Sequence, residues 1–243
     1  MKLLLVNGNT TQVVTDRVVA EAKRCAAPGT EVAGITARFG VSIVSTEAEE
    51  VIAGHAVLDA LAANVAGYDA AILAISFDTA LLGARQIVPV PVLGMTEASL
   101  LTACLLGRRF GLISFGQSSA GMYRDLVQRA GLVQRMAGFE TIELTDPASY
   151  LPEGGQDAAV IDAAQRLIAV GADAVIVAGA AVAGIAHRLR AQLSVPLLDG
   201  IACAVGQAEM LVRLGLRQPA GVPSLTGDAI AGVDPGLSRL LSR

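Results

Sequence analysis

Few side chains in this chain of 243 residues can do acid–base or nucleophilic chemistry, so each can be weighed singly. The two histidines, His55 and His187, and the three cysteines, Cys25, Cys104 and Cys203, lack the spacing of metal ligands. His55 falls within a helical pattern and His187 a turn into another, where an imidazole is ordinarily exposed or structural. Ile75-Ser-Phe-Asp-Thr79 closes an apolar run, which puts Ser76, Asp78 and Thr79 on a loop at a strand end. An unassisted serine hydroxyl is a poor base, and Asp78, two residues on, is the first candidate for that role. Capping a loop or helix is its equally good structural role. Gly116-Gln-Ser-Ser-Ala-Gly121 has P-loop glycine spacing but no lysine after it, so phosphate binding is not expected. Tyr123, early in the next helix, either packs at a boundary or offers its hydroxyl as a donor.

The elements that must position these residues occur twice. Asp69-Ala-Ala-Ile-Leu-Ala-Ile75, a polar loop, a helical segment and Pro89-Val-Pro-Val-Leu-Gly-Met95 are matched by a second copy further along the chain. That copy is Ala172-Asp-Ala-Val-Ile-Val-Ala178, Gly179-Ala-Ala-Val-Ala-Gly184 and Ser194-Val-Pro-Leu-Leu-Asp-Gly200. Each half also opens alike, Met1-Lys-Leu-Leu-Leu-Val6 before Asn7-Gly-Asn-Thr10 and Arg109-Phe-Gly-Leu-Ile-Ser-Phe115 before Gly116-Gln-Ser-Ser119. A repeat of this length fixes the architecture. It predicts an α/β fold of two similar parallel-sheet lobes related by an internal pseudo-twofold duplication. Residues 1–107 form the first lobe, residues 108–207 the second, and the tail 208–243 packs back on the first. Loops at the carboxyl ends of three strands from each half then line one ligand cleft between the lobes. Residues 46–66 read as an amphipathic helix with Val51, Leu58 and Leu61 inward, and 145–157 as a surface loop.

Composition narrows the classes. A hydrophobic content of 53% is ample for a core, yet the apolar run from 174 to 186 falls short of the ~20 residues of a membrane span. The start of the chain lacks the pattern of a secretory segment, and three cysteines suit reduced thiols, so the cytoplasm is expected. A net charge of -4 with 3% aromatic residues and no Trp offers nothing for nucleic acid. A small molecule is the expected partner, and assembly into a homo-oligomer is left open.

Several short stretches, in order, resemble the aspartate/glutamate/hydantoin racemase superfamily, and its hydantoin racemase branch most. They are Val6-Asn-Gly-Asn-Thr-Thr11, Gly94-Met-Thr-Glu-Ala98, Phe110-Gly-Leu-Ile113 and Val195-Pro-Leu-Leu-Asp-Gly200. The resemblance implies a cofactor-independent enzyme that uses two cysteines on opposite faces of a carbon next to a carbonyl or carboxylate. One thiolate takes a proton and the other thiol returns one, while donors hold the planar intermediate. Here Ser76 stands at the first cysteine position, and Ala180 or Ala181, with Ala181 preferred, at the second. Neither residue does thiol chemistry. Three readings follow: an engineered inactive form, a cysteine-free branch with another base such as Asp78, or loss of proton abstraction altogether.

Carried over by position, the resemblance sets Asn7, Thr10, Ser76, Phe77, Thr79, Thr96, Ser114, Ser118, Tyr123, Ala180 and Val182 around the ligand. The amides after Ser76 and Ala181 are the implied oxyanion donors. Glu97 and Asp199, at corresponding places in the two halves, are expected behind them. A racemase or epimerase of a small hydantoin, other cyclic imide or carboxylate leads, without metal or organic cofactor. Alternatives are a cofactor-free decarboxylase of malonate-type acids, and a catalytically silent small-ligand-binding protein.

Overall fold

Short apolar runs without polar alternation form strands only where both faces are covered, and the inner strands here meet that condition. In the computed structural model, which describes residues 1–144, 154–219 and 232–241, the strands form two sheets. β1 (Lys2–Asn7) lies between β2 (Glu31–Thr36) and β3 (Ala70–Leu73), with β4 (Val92–Gly94) outside β3. The second sheet repeats this with β5 (Phe110–Phe115) between β6 (Met136–Ile142) and β7 (Ala174–Val177), and β8 (Leu197–Asp199) outside β7. All pairings are parallel. The fold is therefore two similar α/β lobes. In each, the strand order reverses beside the first strand, where open sheets leave a crevice at the carboxyl ends.

The register defines which residues of the halves correspond. Val6 pairs with Leu73 and Ile113 with Val177, and the backbone amides of Lys2 and Arg109 both donate to an aspartate, Asp69 and Asp173. Leu73 thus corresponds to Val177, and Ser76, three residues on, to Ala180. Four residues further, Ala80 and Gly184 are both left-handed, with φ of 63° and 89°.

Nine helices among the described residues cover the sheets. α1 (Gln12–Cys25) packs on β2, and α2 (Glu47–Asn64) on β1. A Thr46–Glu49 capping box starts α2, whose inward stripe is Ala53, Ala56, Val57, Ala60 and Leu61. Val51, expected inside, is 77% exposed, because it lies off the face of α2 that carries this stripe. α3 (Leu81–Ile87) and α4 (Met95–Leu106) complete the first half. α5 (Gln117–Arg129), α6 (Asp157–Ala169), α7 (Ile185–Leu189) and α8 (Gly200–Arg213) belong to the second. α9 (Pro235–Leu241) lies on α2, next to the Arg38 guanidinium that grips Asp59 and reaches Asp234. Residues 145–153, most of the expected surface loop, lie outside the described residues, as do 220–231 of the tail.

The last helix of each half crosses over. α4 packs on β7, and α8 on β3 and β4 as well as on α4 itself. A single core cluster consequently joins Leu4, Val6 and Leu73 of the first sheet to Leu100 of α4 and to Leu112 and Ile176 of the second. Among the described residues no helix is long and apolar enough to cross a membrane.

This exchange predicts that the halves unfold together. Leu100→Ala empties a fully buried site shared by both sheets and should cost about 3 kcal/mol. Urea denaturation followed by circular dichroism should show one earlier, still single, transition; two resolved steps would contradict the shared core.

Candidate functional site

At the carboxyl ends of the strands the loops enclose a cavity of ≈ 330 Å³. Its lining comes from the loops after β1 (Asn9), β2 (Ser42 to Ser45), β3 (Ser76, Phe77), β5 (Gly116, Ser118), β6 (Leu144) and β7 (Ala180, Ala181). Three strands of each half thus supply one hollow, as the duplication predicts. Of the residues singled out from sequence, Ser76, Phe77, Ser118, Tyr123, Ala180 and Ala181 line it.

Ser76 opens a 3-10 turn, residues 76–78, in which backbone strain is concentrated. Phe77, Asp78 and Ala80 all have positive φ (63°, 52° and 63°). Non-glycine residues enter that region at about 1–3 kcal/mol each, and only where the surroundings hold them. The matching turn of the second half, residues 180–182, lies between glycines, Gly179 (φ 120°) and Gly184. Each turn leans on the other half. Tyr123 of α5 lines the cavity beside Ser76, which works against the rise of its hydroxyl, and packs tilted on Phe77, ring centroids 4.6 Å apart. Arg17 of α1 donates to the Ala181 carbonyl.

The cavity is poor in titrating groups. Burial works to raise the Glu49 carboxyl, but bonds from Ser45 and Thr46 outweigh it and hold the group below its ordinary range. Burial lifts the Tyr123 hydroxyl above the usual phenol range, although Ser76 opposes this. None of the three half-buried thiols lines the cavity; burial pushes Cys25 up to about 12 and Cys203 up to about 11, far from a working thiolate. His55 and His187 are both exposed, as expected. No group of three His, Cys, Asp or Glu among the described residues is placed to hold a metal ion.

The remaining expected site residues lie outside the lining, each for a local reason. Asn7 is fully buried, and its amide group is taken up by Asn9 and Thr15, so it shapes the turn that sends Asn9 to the cavity instead. Thr10 is exposed and bonds the Val41 carbonyl. Thr79 caps the strained turn by donating to the Ser76 carbonyl. Ser114 is buried in β5 opposite Thr141, and Val182 belongs to the apolar core of the second lobe. Thr96 is buried in the first turn of α4, its hydroxyl without a partner among the described residues. The Val182 amide, expected as an oxyanion donor, bonds the Gly179 carbonyl. Glu97 is helical and paired with Arg85, and it is Gly94 that corresponds to Asp199 by strand register.

Asp78 also lies behind the loop. Its two carboxylate oxygens accept the Thr96 amide (2.8 Å) and the Glu97 amide (2.6 Å) at the start of α4. Burial pushes it up to about 7 against those bonds, with Glu97 adding to the rise and Arg85 opposing it. Asp199 at the end of β8 is likewise raised to about 6 by burial.

Sequence reasoning missed Asn9, Ser42, Ser45 and Ser119. The strand-end rule already pointed to their loops; what it lacked was a reason to prefer these side chains over Asn7 and Thr10.

Comparison with known proteins agrees with this architecture. The family model described as Asp/Glu/Hydantoin racemase matches residues 3–208. The chain is similar to allantoin racemase from Klebsiella pneumoniae, at 29% identity over 96% of each chain and a TM-score of 0.88. It is 27% identical to a hydantoin racemase of Pseudomonas sp. (strain NS671), over 89% of this chain and 88% of that protein. Arylmalonate decarboxylase, at 13% identity and a TM-score of 0.60, shares the fold alone.

The buried carboxyls predict a sign for the pH dependence of stability. A raised folded value means that the stabilising contribution is complete below the ordinary 3.8 and is lost as pH climbs through about 7 for Asp78. Each such group adds a slope of up to ~1.4 kcal/mol per pH unit inside that window. Between pH 4 and 8 the unfolding free energy of Asp78→Asn should therefore fall less steeply than that of the wild type. Equal slopes in urea titrations would refute the assignment.

Proposed function

Because the chain belongs to the Asp/Glu/hydantoin racemase family, we propose that its cavity takes a small cyclic ureide or imide of the hydantoin type and acts on the hydrogen of the carbon next to a carbonyl. The observation that carries this reading is that Ser76, with Tyr123 beside it, and Ala180 with Ala181 line one small cavity from opposite halves of the chain. Its described lining has hydroxyls, an amide and the Glu49 carboxylate but no Lys or Arg. A neutral ring with carbonyl and N–H groups is matched by such a surface, whereas a free carboxylate would be desolvated without a countercharge.

The acid–base chemistry is one-sided. On the face of the first-half loop, the small fraction of the Ser76 and Tyr123 hydroxyls that has lost its proton to solvent takes the α-hydrogen as the enolate forms, and the hydroxyl so made returns a hydrogen to the same face. On the other face, Ala180 and Ala181 present only methyl groups, which return no proton. A carbon acid held between them exchanges its hydrogen slowly, with retention, and does not invert. Both hydroxyls are protonated at neutrality, so the exchange accelerates with rising pH.

Proton NMR of enantiopure allantoin and 5-substituted hydantoins in heavy water, with polarimetry on the same samples, tests this. Loss of the α-proton signal faster than loss of rotation, slowed at least ~10-fold by Tyr123→Phe, is the expected result. Binding with no exchange above background would leave a ligand-binding protein, a reading favoured by the lack of an imidazole or thiol among the described lining residues. Carbon dioxide release from an arylmalonate would favour the lyase.

Strand register makes Ala180 the counterpart of Ser76, which supports Ala180 over the expected Ala181 as the second reactive position. Placing thiols by Ser76→Cys with Ala180→Cys should therefore confer racemisation. The pair Ser76→Cys with Ala181→Cys should be at least ~10-fold slower, since its second sulfur starts one residue out of register. Equal rates, or the reverse order, would overturn the register argument.

A further inference from the structure

We propose that Asp78 and Asp199 are positioning residues that fix the two site loops, each by tying a loop of one half to the start of a helix packed on the other. The inference rests on the cavity being the working site.

Asp78 reaches from the first loop to the amides of Thr96 and Glu97 in α4, and its carboxyl fills the space over Gly94. A β-carbon at Gly94 would stand 2.3 Å from the Asp78 carboxyl carbon. The second half does the same job from the other end. Asp199, in the register position of Gly94, sends one oxygen to the Gly184 amide in the second loop (2.6 Å). Its other oxygen accepts the amides of Ile201 (2.9 Å) and Ala202 (3.3 Å) in α8. Val182 stands where the second half would carry the counterpart of Asp78. A duplicated chain has thus set a carboxylate between loop and helix twice, from two different sequence positions. The place is what recurs, and so the contact, rather than either residue, is what the site requires.

The helices explain the requirement. α4 packs on β7 and α8 on β3, so each tie refers a loop to the opposite lobe and sets the distance across the cavity. The tie also holds Phe77, Asp78 and Ala80 in their left-handed conformations. Glu97 and Arg85 face Asp78 from α4 and α3, with Tyr123 near it from α5. Glu21, Arg24 and Cys25 of α1 face Asp199, with Cys203 beside it on α8. Protonation turns one accepting oxygen into a donor facing an N–H, so acid loosens the loops even as it favours the folded state.

Asp199→Asn separates the two contacts. The amide oxygen keeps the cap on α8, while the NH₂ group meets the Gly184 N–H donor to donor. Hydrogen exchange of residues 180–184, followed by NMR without ligand, should speed up at least ~10-fold with protection of α8 unchanged. Unchanged exchange at Gly184 would overturn the proposal, whatever the fate of the proposed function. A transposition supplies the second arm. Asp78→Val should loosen residues 76–80 and weaken allantoin binding at least ~10-fold, and adding Gly94→Asp, which copies the second-half arrangement, should restore both. A double variant no better than Asp78→Val would refute the positioning role. If the wild type itself fails to bind allantoin, the functional reading falls while the exchange data still decide this one. Should either variant fail to fold, the wild-type Gly184 amide shift decides: titration near Asp199's raised value supports the tie, and a flat profile from pH 4 to 9 overturns it.

Discussion

The cavity exists because each of its two central turns is braced by the half of the chain to which it does not belong. Tyr123 of the second half rests on Phe77 next to Ser76, and Arg17 of the first half grips the Ala181 carbonyl. α4 and α8 cross between the sheets in the same reciprocal way. A turn of three residues has too little apolar surface to hold itself, so its geometry comes from what surrounds it. Here the surroundings of each turn are set by the other lobe, and the separation of Ser76 from the two alanines is a property of the whole molecule.

That bracing explains how strain persists in the first turn. Phe77, Asp78 and Ala80 together store on the order of several kcal/mol of backbone strain. The equivalent turn shares the left-handed position of Ala80 at Gly184 but otherwise takes a different path, with its other positive φ at Gly179. The halves differ in chemistry as well: the strained turn carries the hydroxyl, the aromatic ring and the carboxyl, while the other carries only alkyl groups. Strain at a functional turn is the expected pattern when a side chain must be presented at a fixed angle to a ligand.

The duplicated architecture was legible because the inner strands are short, apolar and bounded by polar loops, and because two such units recur in the same order. The cavity was legible in its loops and in part of its lining, Ser76, Phe77, Ser118, Tyr123, Ala180 and Ala181, but not in the rest. Asn7 and Asn9 are two residues apart on one turn, and no pattern in sequence says which amide bonds Thr15 and which faces the cavity. β6 carries no clear signal, since its Met-Ala-Gly-Phe-Glu-Thr-Ile run lies at a half-exposed sheet edge and is neither uniformly apolar nor cleanly alternating. Ala180 and Ala181 are identical in type and both line the cavity, so sequence alone offers no way to choose between them as the counterpart of Ser76.

Asp78 shows most directly why a chemical candidate read from sequence becomes a structural one in the fold. A general base needs a carboxylate within hydrogen-bond reach of the substrate and a proton affinity near the working pH. Asp78 meets the second condition, because burial raises it to about 7, and fails the first, because both oxygens point at backbone amides behind the loop. The elevated proton affinity is the consequence of that burial, not preparation for catalysis. Were the side chain turned to the cavity, the start of α4 would lose its acceptor and the left-handed turn its tie, so the residue cannot serve both ends at once. Of the groups that could move a proton, the Ser76 and Tyr123 hydroxyls and the Glu49 carboxylate line the cavity, while the Asp78 carboxyl is spent on the backbone behind it.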